Sequence, residues 1–125
     1  MFLLIIIYQF LTFADAWTDR KGNVNHLRGA ILYATGGALV ALLFIHRIPW
    51  YHIALCLLLT RAAFFDVYLN LLRGKPFSYN GDATNPKRSL IDKLEDWTGL
   101  SVFWLRVIYI AAYLTHIIIY YATNN

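Results

Sequence analysis

Residues 51–72 read YHIALCLLLTRAAFFDVYLNLL. At 1.5 Å of rise per residue, a helix of that length is about 33 Å long, which matches the roughly 30 Å hydrocarbon thickness of a bilayer. Arg61, Asp66 and Asn70 interrupt the apolar run. On insertion scales a central charge costs roughly 2.5–3.5 kcal/mol, and each Leu, Ile, Phe or Val returns only about 0.3–0.6 kcal/mol. The eleven such residues between Ile53 and Leu72 offset about 5 kcal/mol, no more than the two charges take. A segment so balanced is marginal alone and needs neighbouring helices to receive its polar groups.

The rest of the chain supplies those neighbours. Three further apolar segments, about residues 2–17, 29–46 and 100–122, approach the length a membrane span requires. Over its 125 residues the chain is 59% hydrophobic and 14% charged, against about 45–50% and about 25% in soluble domains. The excess is arranged in blocks and lacks the periodicity of a soluble core. The expected fold is all-α: one polytopic membrane domain over residues 1–125, with four transmembrane helices in a compact bundle.

Orientation follows from the basic residues, because cytoplasmic loops carry the excess of Lys and Arg. The first connection holds Arg20, Lys21 and Arg28, and the second holds Arg47. The third, residues 73–99, holds Arg73, Lys75, Lys87, Arg88 and Lys93, and the C-terminal tail holds none. This places both termini outside, in a plasma membrane of the bacterial inner-membrane type. Trp17 and Trp97 then mark the cytoplasmic boundary, and Trp50, Tyr51, Tyr120 and Tyr121 the outer one. The N-terminal segment admits a second reading, because FLLIIIYQFLTF followed by Ala14-Asp15-Ala16 resembles a signal peptide with its cleavage site. It lacks a basic n-region, and its removal would put the most basic loop outside.

Two local patterns add detail. Ala30, Ala34 and Ala38, with Gly37 and Ala41 beside them, form a small-residue face suited to close packing inside the bundle, with a homo-oligomer seam as the alternative. In SLIDKLEDWTG, Ser89 is a possible N-cap, and Leu90, Ile91, Leu94 and Trp97 share one helical face. A short interfacial helix on the cytoplasmic surface is expected there, ended by Gly99. Asn80-Gly81 and Asn85-Pro86 upstream are turn signals.

No catalytic signature is present. The chain has no HExxH, GxSxG, EF-hand or phosphate-loop pattern, and its four histidines (26, 46, 52 and 116) have no acidic neighbours at ligand spacing. The lone Cys56 excludes an internal disulfide and a CxxC pair. Neither a cofactor nor a metal site is expected, and the basic residues form no stripe of the kind that binds nucleic acid.

The buried polar residues are the informative ones. Asp66 lies seven residues before Arg73 and Arg106 six after Leu100, so both fall ~9–11 Å inside the same boundary on antiparallel helices. A salt bridge between them is expected, with Gln9, Thr35 and Asn70 completing an intramembrane polar layer. Arg61 lies about 140° round its helix from Asp66 and has no acid on its face. Every acid maps to the cytoplasmic half, whereas His52 and His116 map to the outer half with Arg61. That grouping makes Arg61, His52 and His116 a candidate anion site, with Asp66, carbonyls or ring stacking on Phe65 or Tyr68 as alternative partners for Arg61. The sequence as a whole points to a small non-enzymatic membrane protein, an accessory or interaction component. Two alternatives stand beside it: an oligomeric transporter or channel unit with an anion or lipid-phosphate site near Arg61, and a membrane-embedded lipid-modifying enzyme. The expected partners are the bilayer, an anionic lipid, and a larger membrane protein or a second copy of the chain.

Overall fold

Helix α1, Phe2–Asp19, contains neither Pro nor Gly and buries Leu4, Tyr8, Thr12, Asp15, Ala16 and Asp19. Those positions recur every three or four residues, so they form one stripe of a 3.6-residue helix. The structure is a computed structural model that describes residues 1–22, 25–79 and 96–124. Helix α2, His26–Phe44, starts at Asn25, whose side chain accepts the Arg28 backbone N–H at 3.0 Å and so fills an otherwise unpaired first-turn donor. A turn over residues 45–48 leads to Pro49, whose missing N–H is no loss at the start of α3, Trp50–Leu72. Beyond the C-cap Arg73, Gly74 has φ +63°, the left-handed conformation that ends a helix with least strain in glycine. Helix α4 runs from Val102 to Thr123.

All four helices are long and apolar enough to cross a membrane. The molecule is an all-helical, multi-pass integral membrane protein whose spans pack together. Helices α1 and α3 share the largest interface and run parallel; α2 packs antiparallel against both, and α4 lies antiparallel on α3. Both chain ends and the 45–48 turn therefore lie at one end of the bundle. The other, basic end carries Arg20, Lys21, Arg73 and Lys75. Leu4, Tyr8, Val40, Ile48, Ile53, Cys56 and Tyr120 pack together toward the first end, and Ala16, Phe65 and Leu69 toward the second.

Several expectations change. The first helix continues past residue 17 because Asp15 and Asp19 turn inward instead of marking a boundary. The second starts at residue 26, three residues before the apolar run, because Asn25 caps it. The small-residue face does not close. A Cβ on Gly36 would touch Leu11, and one on Gly37 would lie 2.8 Å from Leu57, so the glycines carry the tight packing. Ala30, Ala34 and Ala38 remain exposed beside them. Trp17, Trp50, Tyr51 and Tyr121 are exposed as belt residues would be, but Tyr120 is buried, with its ring edge-on to His52 at 4.9 Å. The expected interfacial helix lies outside the described residues except for a helical turn at 96–98.

Candidate functional site

The stripe on α1 that begins with Leu4 and Tyr8 becomes polar toward the basic end, where it delivers Thr12, Asp15 and Asp19 to the interior. Helix α3 delivers Arg61 to the same place, and α2 delivers Gly29 and Tyr33. Arg61 Nη2 lies 3.6 Å from Asp15 Oδ2; Asp15 is 1% exposed and Arg61 27%. The guanidinium carbon stands 3.2 Å from the centre of the Phe65 ring and 5.5 Å from that of Tyr33. Arg61 is thus held by a carboxylate on one helix and by ring faces on two others. Gly29 lets the carboxylate approach closely: a Cβ there would stand 3.1 Å from Asp15 Oδ2, which would have to give by a few tenths of an ångström. Tyr33 donates to Thr12 Oγ1 at 2.8 Å, and Thr12 in turn donates to the Tyr8 carbonyl at 2.8 Å. One turn beyond Asp15, Asp19 accepts from the Arg28 guanidinium and from the Asn25 backbone N–H at 3.3 Å.

This arrangement corrects the reading that Arg61 has no acid within reach. Asp15 sits on a helix parallel to α3, next to Ala16, which packs on Phe65 and Leu69, so it lies level with the turn that follows Arg61. The Arg61 side chain runs toward Phe65, one turn C-terminal, against the usual N-terminal lean of helical side chains, and so reaches that level. Tyr68 does not stack on Arg61. It donates to Gln9 Oε1 at 2.5 Å, while Gln9 Nε2 donates to the Tyr113 hydroxyl at 3.2 Å, linking α1, α3 and α4.

The expected polar layer is divided among several places. Gln9 occupies the centre just described. Asn70 and Arg106 meet nearer the basic end: Asn70 Nδ2 and Arg106 Nη2 both donate to the Tyr79 carbonyl, at 2.7 and 2.8 Å, and Asn70 also reaches the Pro76 carbonyl at 3.2 Å. Asp66 is half-buried on α3, and the two ion pairs between described residues are Arg61–Asp15 and Arg28–Asp19, not Asp66–Arg106. Thr35 is exposed and donates to the Ile31 carbonyl of its own helix, so it leaves the layer. Counting rise fixes a depth, but it does not fix which way a side chain turns.

The candidate anion site separates as well. His52 and His116 do meet, with ring centroids 5.2 Å apart and Tyr120 against His52. Arg61 is nine residues along α3 from His52, about 13 Å by rise, and it faces α1 and α2 rather than α4. Among the described residues, no three His, Cys, Asp or Glu side chains are grouped as a metal site would require.

A cavity of about 230 Å³ opens beside the ion pair, lined by His26, Gly29, Ala30, Tyr33, Leu57, Leu58 and Arg61. The fold and this interior define a small helical membrane protein with an ionic seam between its first three helices. No protein-family model, no curated protein and no solved structure matches the chain.

Proposed function

We propose that this chain is a non-enzymatic membrane component, an accessory or interaction protein whose polar interior fixes the arrangement of its helices. One observation carries this reading: the polar side chains of α1 and α3 are directed at partners across helix seams, Asp15 to Arg61 and Gln9 to Tyr68 and Tyr113. Groups used in this way hold helices in register and do not converge on a reacting atom. Tagged and solubilised in mild detergent, the chain is expected to elute with a second membrane protein in stoichiometric amount. That protein should rebind when the two are purified apart and mixed. A chain that elutes alone, and that conducts an ion or alters a lipid in proteoliposomes, would overturn the reading.

The orientation proposed with it has both termini outside, supported by the crowding of Arg20, Lys21, Arg73 and Lys75 at one end of the bundle. A cysteine at Ser78 is expected to be shielded from an impermeant thiol reagent added outside, and one at Thr123 to react. Labelling in the opposite sense would restore the signal-peptide reading, in which cleavage after Ala16 removes the helix that carries Asp15.

A further inference from the structure

The cavity beside Arg61 does not end at Tyr33. A second cavity of about 350 Å³ shares Tyr33 and Leu57 with it and continues between α2 and α3, past Ala34, Gly37 and Ala38, to Trp50. Together they make one groove, with a guanidinium, an imidazole and a phenol at one end and, along the rest, a lining that is apolar apart from the Tyr8 hydroxyl and the Trp50 indole. The exposed alanines at 30, 34 and 38 keep it open.

Arg61 is the unusual group in the groove. Its guanidinium carries five N–H donors. Among the described residues it makes no hydrogen bond, because Asp15 at 3.6 Å is an ionic neighbour beyond hydrogen-bond range. Asp15 is shut behind Gly29 and takes no part in lining the groove, so the charge that faces the opening is the arginine's. Arg61 starts from the middle of α3, but its guanidinium stacks on Phe65, seven residues or about 10 Å by rise before the end of that helix. Gly29, which abuts Asp15, is three residues into α2, about 5 Å by rise from its first residue, His26. A lipid headgroup reaches that depth.

We propose that this groove seats one anionic phospholipid, its phosphate on the free donors of Arg61 beside His26 and one acyl chain along Ala34 and Gly37 toward Trp50. Charge selects the head, since bidentate guanidinium–phosphate contact fills the donors that Asp15 leaves empty. The tail is matched by the small side chains of Ala34, Gly37 and Ala38, which leave a seam between α2 and α3 for a single acyl chain. Positive-inside orientation puts the polar mouth in the cytoplasmic leaflet, where anionic lipids concentrate. The proposal does not depend on the accessory reading.

Native mass spectrometry of the delipidated protein, titrated with phosphatidylglycerol or phosphatidylcholine and run beside a thermal melt, tests it. One phosphatidylglycerol per chain is expected to be retained, at least tenfold more tightly than phosphatidylcholine. Ala34→Trp fills the groove from an exposed position and should abolish retention while leaving the melt unchanged. The Asp15→Asn/Arg61→Gln double variant, which has no buried charge to strand, should lose the preference for phosphatidylglycerol. Equal retention of the two lipids, retention unaffected by Ala34→Trp, or a melt shifted as far by inorganic phosphate as by lipid would each overturn the proposal. So would a dimer of the chain that Ala34→Trp dissociates, which would assign the groove to a second copy.

Discussion

Arg61→Gln is expected to lower the stability of the bundle by about 3–5 kcal/mol, the range for removing one member of a buried ion pair. The change leaves Asp15 as a carboxylate 1% exposed, with neither oxygen in a hydrogen bond and no cation in contact. Asp15→Asn should cost less, about 2 kcal/mol, because the stranded arginine keeps the Phe65 ring and can turn to the groove and its water or headgroups. The double variant Asp15→Asn/Arg61→Gln should sit close to the milder single change, which corresponds to a coupling of about 3 kcal/mol or more. Equilibrium unfolding in mixed detergent micelles gives all four values. Equal single costs that simply add would show that the two side chains do not depend on each other, and the ionic seam would lose its role.

The number of helices was legible because it rests on the coarsest physics available, the length of uninterrupted apolar sequence against the thickness of a bilayer. Lateral detail was harder to read. A helix that is apolar nearly all round carries little record of which side faces its neighbours, so Thr35 and Gln9 looked alike although one is exposed and the other ties three helices together. Tyr120 was misread for the same reason, since the interface and the bundle interior both accept a tyrosine.

Asp15 was the site residue that sequence reasoning passed over. It stood between two alanines in a pattern that resembles a cleavage site, and an acid near the end of a span reads as a boundary. A signal for it was nevertheless present. Leu4, Tyr8, Thr12, Asp15 and Asp19 are spaced by three or four residues, so the two acids continue the face that the apolar residues begin. Treated as part of that stripe, Asp15 becomes an interior carboxylate and the partner that Arg61 requires. The capping role of Asn25 was equally readable, three residues before Arg28, and would have set the start of α2 correctly.

Arg73→Gln is the second substitution expected to act strongly, by about 2 kcal/mol, through hydrogen bonds from a charged donor to main-chain acceptors. The last carbonyls of a helix have no partner within it and carry the negative end of its dipole. At the end of α1 the Arg20 side chain answers the Trp17 carbonyl at 2.6 Å, and Arg73 answers the ones beyond it: Arg73 Nη2 donates to the Asp19 carbonyl at 2.6 Å and to the Gly22 carbonyl, and Nε donates to the Arg20 carbonyl at 3.3 Å. Arg73 is itself the C-cap of α3, so one guanidinium ties together the ends of the two central parallel helices. If the charge alone mattered, Arg73→Lys would restore most of the loss. The fan of three acceptors matches a planar fork better than a single ammonium, so lysine is expected to recover less than half. Hydrogen exchange separates this from a general weakening: in Arg73→Gln the amides from Ala16 to Gly22 should exchange faster while those around Tyr8 keep their protection. Uniform acceleration along α1, or full rescue by lysine, would mean that Arg73 contributes only charge to the basic end and that the pairing of α1 with α3 is set by the ion pair above it.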